Sequence, residues 1–279
     1  MSTSTTSSSR LTSSSTAAPS ESDAVASVTA LALPPVTISE MGGVRYLHLG
    51  TTWVQGAMRL ARPLDIELDY VRRMMVWMLL RPESGDAARE AWDNTHTVQL
   101  GLGSGTITRF CHRVLGAHAT AVELNPEVIR ACEALFYVPR SAPRLQVLHR
   151  DAAEYVADPK HRDSADAVCV DVYDHEVAGP VLDSAAFYRG CYSLLRPGGV
   201  MTVNLFGHGA DLEGSRSRVA QAFGEAQLFH TTPGKNGHIV LGAVKQHPWP
   251  DADTLRARAK NIETQFQLPA LEWLDILRR

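Results

Sequence analysis

The chain has 279 residues, 44% of them hydrophobic, enough material to bury one sizeable core with a small appended module. A formal net charge of −3 provides neither a basic surface for nucleic acid nor a strongly acidic tail. No apolar run approaches the roughly 20 residues of a membrane span, so neither nucleic acid nor a membrane is an expected partner, and the cytoplasm is the expected location.

The first segment, MSTSTTSSSRLTSSSTAAPSES, has almost nothing apolar to bury, and residues 1–33 are expected to form a disordered tail. A secretory signal is disfavoured because Ala24 follows Glu21 and Asp23 instead of a basic region, and no small-residue cleavage site follows; a transit peptide is the alternative for so Ser-rich a segment. From Val36 the pattern changes to VTISEM, a Gly42-Gly43 turn, VRYLHLG and WVQGAMRL, which predicts a small β-hairpin module within 34–64. Next, Ile66, Leu68, Val71, Met74, Met75, Met78 and Leu79 recur at mostly three- and four-residue steps, predicting one helix over about 65–81 with its methionines as core packing.

Beyond Asp93, strands and helices alternate at the short spacing of a parallel sheet. Strands are expected at 97–100, 119–123, 145–148, 167–170 and 200–205, with helices starting near Ser104, Pro126, Ala152 and Leu182 and a further one near 211–223. Residues 228–231 and 238–244, joined by a turn at 234–237, add an antiparallel edge pair. The expectation is an α/β domain over 65–249 with a mostly parallel seven-stranded sheet. A helical segment over 250–279, broken at Leu268-Pro269, should close the chain.

The chemistry-bearing residues gather where the strands end. Gly101, Gly103 and Gly105 in GLGSG follow the first parallel strand, where backbone N–H groups can approach a ligand that a Cβ would exclude. A dinucleotide fingerprint would need a further glycine where Thr106 stands, and a tight turn without a ligand is the plain alternative. Glu123 ends the second strand, about 20 residues on, where an acid can accept hydrogen bonds from a ribose. Asp151-Ala152 and Asp171 follow the third and fourth strands; for each aspartate alone a helix N-cap is the commoner role, but three carboxylates at successive strand ends point to a site. The four cysteines form no C-x-x-C pair and read as reduced core thiols. His175 and His208, among eleven scattered histidines, lack metal-ligand spacing, so no metal is expected, and no G-x-S-x-G elbow supports a nucleophile.

In order, GLGSG at 101–105, ELNPEVI at 123–129, RDAAEY at 150–155, DVYDHEVAGP at 171–180 and FYRGCYSLLRPGGV at 187–200, with Val54-Gln55 upstream, resemble the spermidine synthase (polyamine aminopropyltransferase) family over about 38–206. The resemblance implies a Rossmann-like class I methyltransferase fold preceded by the small β module. It also implies a sulfonium nucleoside donor, decarboxylated S-adenosylmethionine or S-adenosylmethionine, a small-molecule amine acceptor, and no metal; a homodimer is the assembly allowed for. By resemblance Gln55 and Glu123 would hold the donor's ribose, Asp151 and Ala152 its adenine, and the turn of Gly101, Gly103, Ser104 and Gly105 the rest of the donor. Asp171 would act on the attacking amine, Asp174 would bind it and Tyr70 would border its pocket. Three positions depart from the family pattern: Ser104 replaces an aspartate, Tyr70-Val71-Arg72 keeps only the tyrosine of its motif, and the loop from Asp171 to Pro180 is longer by two residues. A methyltransferase on the same scaffold is therefore a second expectation, since Ser104 removes a carboxylate that would repel the carboxylate of the intact donor, and a non-catalytic nucleoside-binding protein is a third.

Overall fold

Alternating apolar and polar side chains on either side of the paired glycines fold as β1 (Val36–Met41), β2 (Val44–Leu49) and β3 (Val54–Arg59), an antiparallel three-stranded sheet. Gly42 and Gly43 both take positive φ, 58° and 74°, the twist that a two-residue hairpin turn requires. The computed structural model describes residues 1, 33–81, 90–172, 182–206 and 211–279. Asp174, Tyr173, His175, Glu176 and His208 lie outside the described residues, as does nearly all of the segment expected to be a tail.

The helix expected over 65–81 is two short helices, α1 (Asp69–Met74) and α2 (Trp77–Leu80). Two causes are visible. Arg72 donates to the carbonyls of Ile66 and Glu67 at 2.6 and 3.1 Å, holding the segment before Asp69 outside the helix. Between α1 and α2, bonds from Met78 to Met75 and from Leu79 to Val76 tighten the backbone to three-residue closure. The apolar face is nevertheless the expected one: Met74, Met75 and Met78 are fully buried in the core.

After α3 (Glu90–Asp93) comes the repeated strand–helix unit: β4 (His96–Leu100), α4 (Thr106–Phe110), β5 (His118–Glu123), α5 (Pro126–Leu135), β6 (Ser141–Ala142), β7 (Leu145–His149) and α6 (Ala152–Ala157). It continues as β8 (Ala165–Val170), α7 (Ala185–Leu194), β9 (Leu195–Leu205), α8 (Leu212–Phe223), β10 (Leu228–Thr231) and β11 (Ile239–Val244). Two further helices, α9 (Ala252–Phe266) and α10 (Ala270–Ile276), split at Leu268-Pro269, precede β12 (Leu277–Arg278). The sheet order is β12-β10-β11-β9-β8-β4-β5-β7-β6, with β9, β8, β4, β5 and β7 parallel. Among the described residues it has nine strands instead of the expected seven, because β6 and β12 add a two-residue pairing at either edge, too short to leave a periodic signal.

Side chains of the parallel strands pack into apolar layers on both faces of this sheet. The chain runs from β4 to β5 and β7 on one side, then returns to β8 and β9 on the other. That reversal opens a crevice at the carboxyl ends of the central strands, where ligands bind in open α/β sheets. Pro34–Arg279 form one compact unit, and among the described residues no helix is long and apolar enough to cross a membrane. The four cysteines are buried and free.

Candidate functional site

The glycine turn connects β4 to α4 at this crevice, and its glycines are required by neighbouring backbone. Gly101 (φ 84°) lies so close to the Asp171 carbonyl that any Cβ would collide with it, and a Cβ on Gly103 (φ 52°) would meet the Gln55 carbonyl at 2.8 Å. The turn is thus clamped between the end of β8 and strand β3. Ser104 faces into that contact. Its side chain is buried, with Oγ 3.4 Å from the Ala57 carbonyl and 3.0 Å from Thr106 Oγ1. Beneath it, buried Arg109 donates to the carbonyls of Pro63, Ser104 and Phe136 at 2.7, 3.1 and 2.8 Å.

Level with the turn stand the ends of β5 and β7, because Leu100 pairs with Val122 and Glu123 with His149. Glu123 accepts from Leu102 N and Asn125 N, both at 2.8 Å, one on each carboxylate oxygen. Burial pushes its carboxyl up from the ordinary value, against the opposing pull of those backbone donors. Asp151 caps α6: Oδ1 accepts from Ala153 N at 2.6 Å and Glu154 N at 3.2 Å, and Ala152 is the buried first residue of that helix. The capping role considered from sequence is therefore real for Asp151, and it occupies one carboxylate oxygen.

Asp171 follows β8, and its backbone N–H donates to the Leu100 carbonyl at 2.9 Å. Tyr70 on α1 donates to Asp171 Oδ2 at 3.1 Å, and Asn204 on β9 donates through Nδ2 to Oδ1 at 2.9 Å. Burial raises the carboxyl's pKa, and these two donors hold it down. The group opens onto a cavity of about 590 Å³ lined also by Trp53, Gln55, Tyr70, Phe206, Lys235 and His238. Gln55 Nε2 is buried there with no hydrogen-bond partner among the described residues.

Sequence reasoning did not single out Asn204, His238, Trp53 or Phe206. His238 stacks on Tyr70 with 4.3 Å between ring centroids and on Phe206 at 4.0 Å, and Trp53 meets Phe206 edge-on at 6.2 Å. One signal was available: Asn204 is a polar residue in the apolar run VMTVNL, and it is buried. The structure therefore gathers Gln55, Tyr70 and Asp171 around one cavity, places Glu123 and Asp151 on adjacent strand ends, and turns Ser104 toward β3.

Comparison with known proteins completes the description. A methyltransferase domain family matches residues 98–199. A polyamine aminopropyltransferase of Chromobacterium violaceum is 31% identical over 253 residues, covering 89% of this chain and 91% of the relative. The enzyme of the same name from Neisseria meningitidis serogroup B is 30% identical over 237 residues, covering 84% and 86%. Among solved structures, a probable spermidine synthase from Corynebacterium glutamicum superposes with a TM-score of 0.66 at 20% identity, covering 84% of this chain and 85% of that one. Human methyltransferase-like protein 13, solved with SAH, gives 0.61 at 21% identity, covering 72% and 93%. These two share the fold, and the curated relatives carry the kinship further: the chain belongs to the polyamine aminopropyltransferase, or spermidine synthase, family.

Proposed function

We propose that the protein transfers an aminopropyl group from decarboxylated S-adenosylmethionine to an amine. The observation that carries this reading is the Asp171 carboxylate, half-buried at a strand end, held by Tyr70 and Asn204, and open to the cavity. Gln55 tests the fit of a nucleoside beside it, since a buried amide N–H without a partner calls for an acceptor such as a ribose oxygen. Glu123 has both carboxylate oxygens in place and lone pairs left for ribose hydroxyls. Asp151 would contribute its remaining oxygen, with Ala152, toward the adenine.

When bound, the donor supplies an electrophilic carbon next to a sulfonium. The amine nitrogen forms the new bond to that carbon, the carbon–sulfur bond breaks, and the electron pair stays on the sulfur of the departing thioether. An alkylamine with a pKa of about 10 arrives protonated, so a proton must leave before its lone pair can attack. Asp171 accepts it, and burial makes the carboxylate more basic than usual. Tyr70 and Asn204 fix the carboxylate's orientation. Asp174, outside the described residues, is assigned to pairing with the acceptor's cation.

Ser104 favours a second reading, methyl transfer from intact S-adenosylmethionine, because the turn lacks a carboxylate that would repel that donor's own. Mass spectrometry of products from each donor with putrescine separates the two. An aminopropylated amine with methylthioadenosine supports the first; a methylated product with S-adenosylhomocysteine overturns it.

A further inference from the structure

We infer that His238 is a positioning residue of this site, bracing both groups that hydrogen-bond the Asp171 carboxylate. The role deepens the reading in which Asp171 is the proton acceptor. Four contacts make a closed circuit, from His238 to Tyr70, Tyr70 to Asp171, Asp171 to Asn204 and Asn204 back to His238. The ring of His238 stacks nearly parallel on Tyr70, 4.3 Å between centroids and 10° between planes, and its other face packs on Phe206 at 4.0 Å and 13°. His238 Nδ1 lies 2.9 Å from Asn204 Oδ1. Tyr70 and Asn204 each donate to a different oxygen of Asp171.

The proton positions follow from the carboxylate, which can only accept. The Asn204 amide nitrogen must face Asp171, which leaves its oxygen toward His238, so Nδ1 must carry a hydrogen. A flipped Asn204 would oppose two acceptors. Burial, with help from Arg73 and against Asp69, lowers His238 to about 4, which leaves it neutral with its hydrogen on Nδ1. Among the described residues, the charged and titratable groups that share the cavity with Asp171 are Asp69, Tyr70, Lys235 and His238, with Cys169 beside Asp171 and Arg73 beside His238. Asp69 and Arg73 pair with each other at 2.8 Å.

In H238F a flat ring can still stack, but the N–H holding Asn204 Oδ1 is gone, so Asn204 is less firmly aimed at Asp171. A weaker donor disfavours the charged carboxylate, and Asp171 should titrate about one pH unit higher. The experiment is carboxyl ¹³C and imidazole ¹⁵N NMR titration of the full chain, with pH profiles of kcat/KM beside it. Expected are an Nδ1–H tautomer at neutral pH, an upward shift of Asp171 in H238F and in N204A, and no additional shift in the double variant. H238N, which restores an N–H near the Nδ1 position, should return the titration toward the wild-type value. The acid limb of kcat/KM should move with the NMR value while the donor's KM stays within about twofold. An Nε2–H tautomer, an unmoved Asp171 in H238F, or additive shifts in the double variant would overturn the role. Wild-type protein inert with decarboxylated S-adenosylmethionine would sink the transferase reading, while the NMR titrations would still decide what His238 does.

Discussion

Asp171 combines two properties that work against each other: it is half-buried, and the lost hydration costs the charged form, yet the proposed role needs it charged. Asp171→Asn keeps the shape and one accepting oxygen for Asn204, turns the other oxygen into an N–H donor that the Tyr70 hydroxyl can accept, and cannot take a proton. Turnover should fall by about 10² to 10⁴ while donor affinity stays within a few fold, as measured by steady-state kinetics and calorimetry. In wild type, activity should be lost as pH falls through a pKa that lies above the ordinary carboxylate value, because protonation removes the base. The same shift has a stability consequence of definite sign. A carboxylate whose folded pKa is raised costs stability fully above that pKa and not at all below its unfolded value. Asp171→Asn should therefore melt at or above wild type at neutral pH, with the gap closing in acid; a variant that melts well below wild type at neutral pH would refute this. Glu123 is a different case, since it also ties Leu102 to Asn125. Glu123→Ala should weaken methylthioadenosine binding roughly tenfold or more in calorimetry, each hydrogen bond to a charged acceptor being worth about 1.5 to 3 kcal/mol. An unchanged affinity would remove Glu123 from the donor site.

At the scale of elements, what could be read from the chain is what local physics decides. The parallel strands are short apolar runs bounded by turn residues, and β4, β5, β7 and β8 lie within about two residues of their expected places. Asp171 and Glu123 were readable because strand ends of a parallel sheet converge on one crevice. The break between α1 and α2 was not, since it rests on Arg72 reaching back to two carbonyls. The Asn204–His238 pair was equally hidden: the residues lie 34 positions apart and meet only because β11 pairs antiparallel with β9. Arg109 shows the same dependence on tertiary contacts. It reads as an ordinary helical cation, yet it is buried, and it joins the glycine turn to the segments before α1 and after α5. Arg109→Met would leave three carbonyls without this donor, at roughly 1 to 3 kcal/mol for each one left unsatisfied. A loss of several kcal/mol in denaturant unfolding is expected, with weakened donor binding because Ser104 is one of the three; a loss below about 1 kcal/mol would show that water replaces the guanidinium.

For the molecule as a whole, the boundary that matters lies near Pro34. The compact unit begins there, and its first residues are tied to the strand end proposed to hold the donor. Asn125 donates to the Pro34 carbonyl at 3.0 Å, and Val36 N–H donates to Glu127 at 3.3 Å. Asn125 also caps α5 and donates to Glu123, so β1, although remote in sequence, braces the strand end that carries the proposed ribose contact. Residues 1–22 carry almost nothing apolar, and residues 1–33 hold none of the proposed site residues. A chain starting at Pro34 should therefore match the full-length protein in melting temperature and in methylthioadenosine affinity. A chain starting at Gly42 loses all of β1 and the two bonds to α5, and it leaves β2 as an unpaired edge. It should melt roughly 5 °C lower or more, given that each kcal/mol moves a domain of this size by about 2 to 4 °C, and it should bind the nucleoside more weakly. Calorimetry on the two truncations gives the answer directly: if the chain starting at Gly42 keeps full affinity, β1 contributes stability alone and the proposed coupling of the N-terminal sheet to the donor site is wrong.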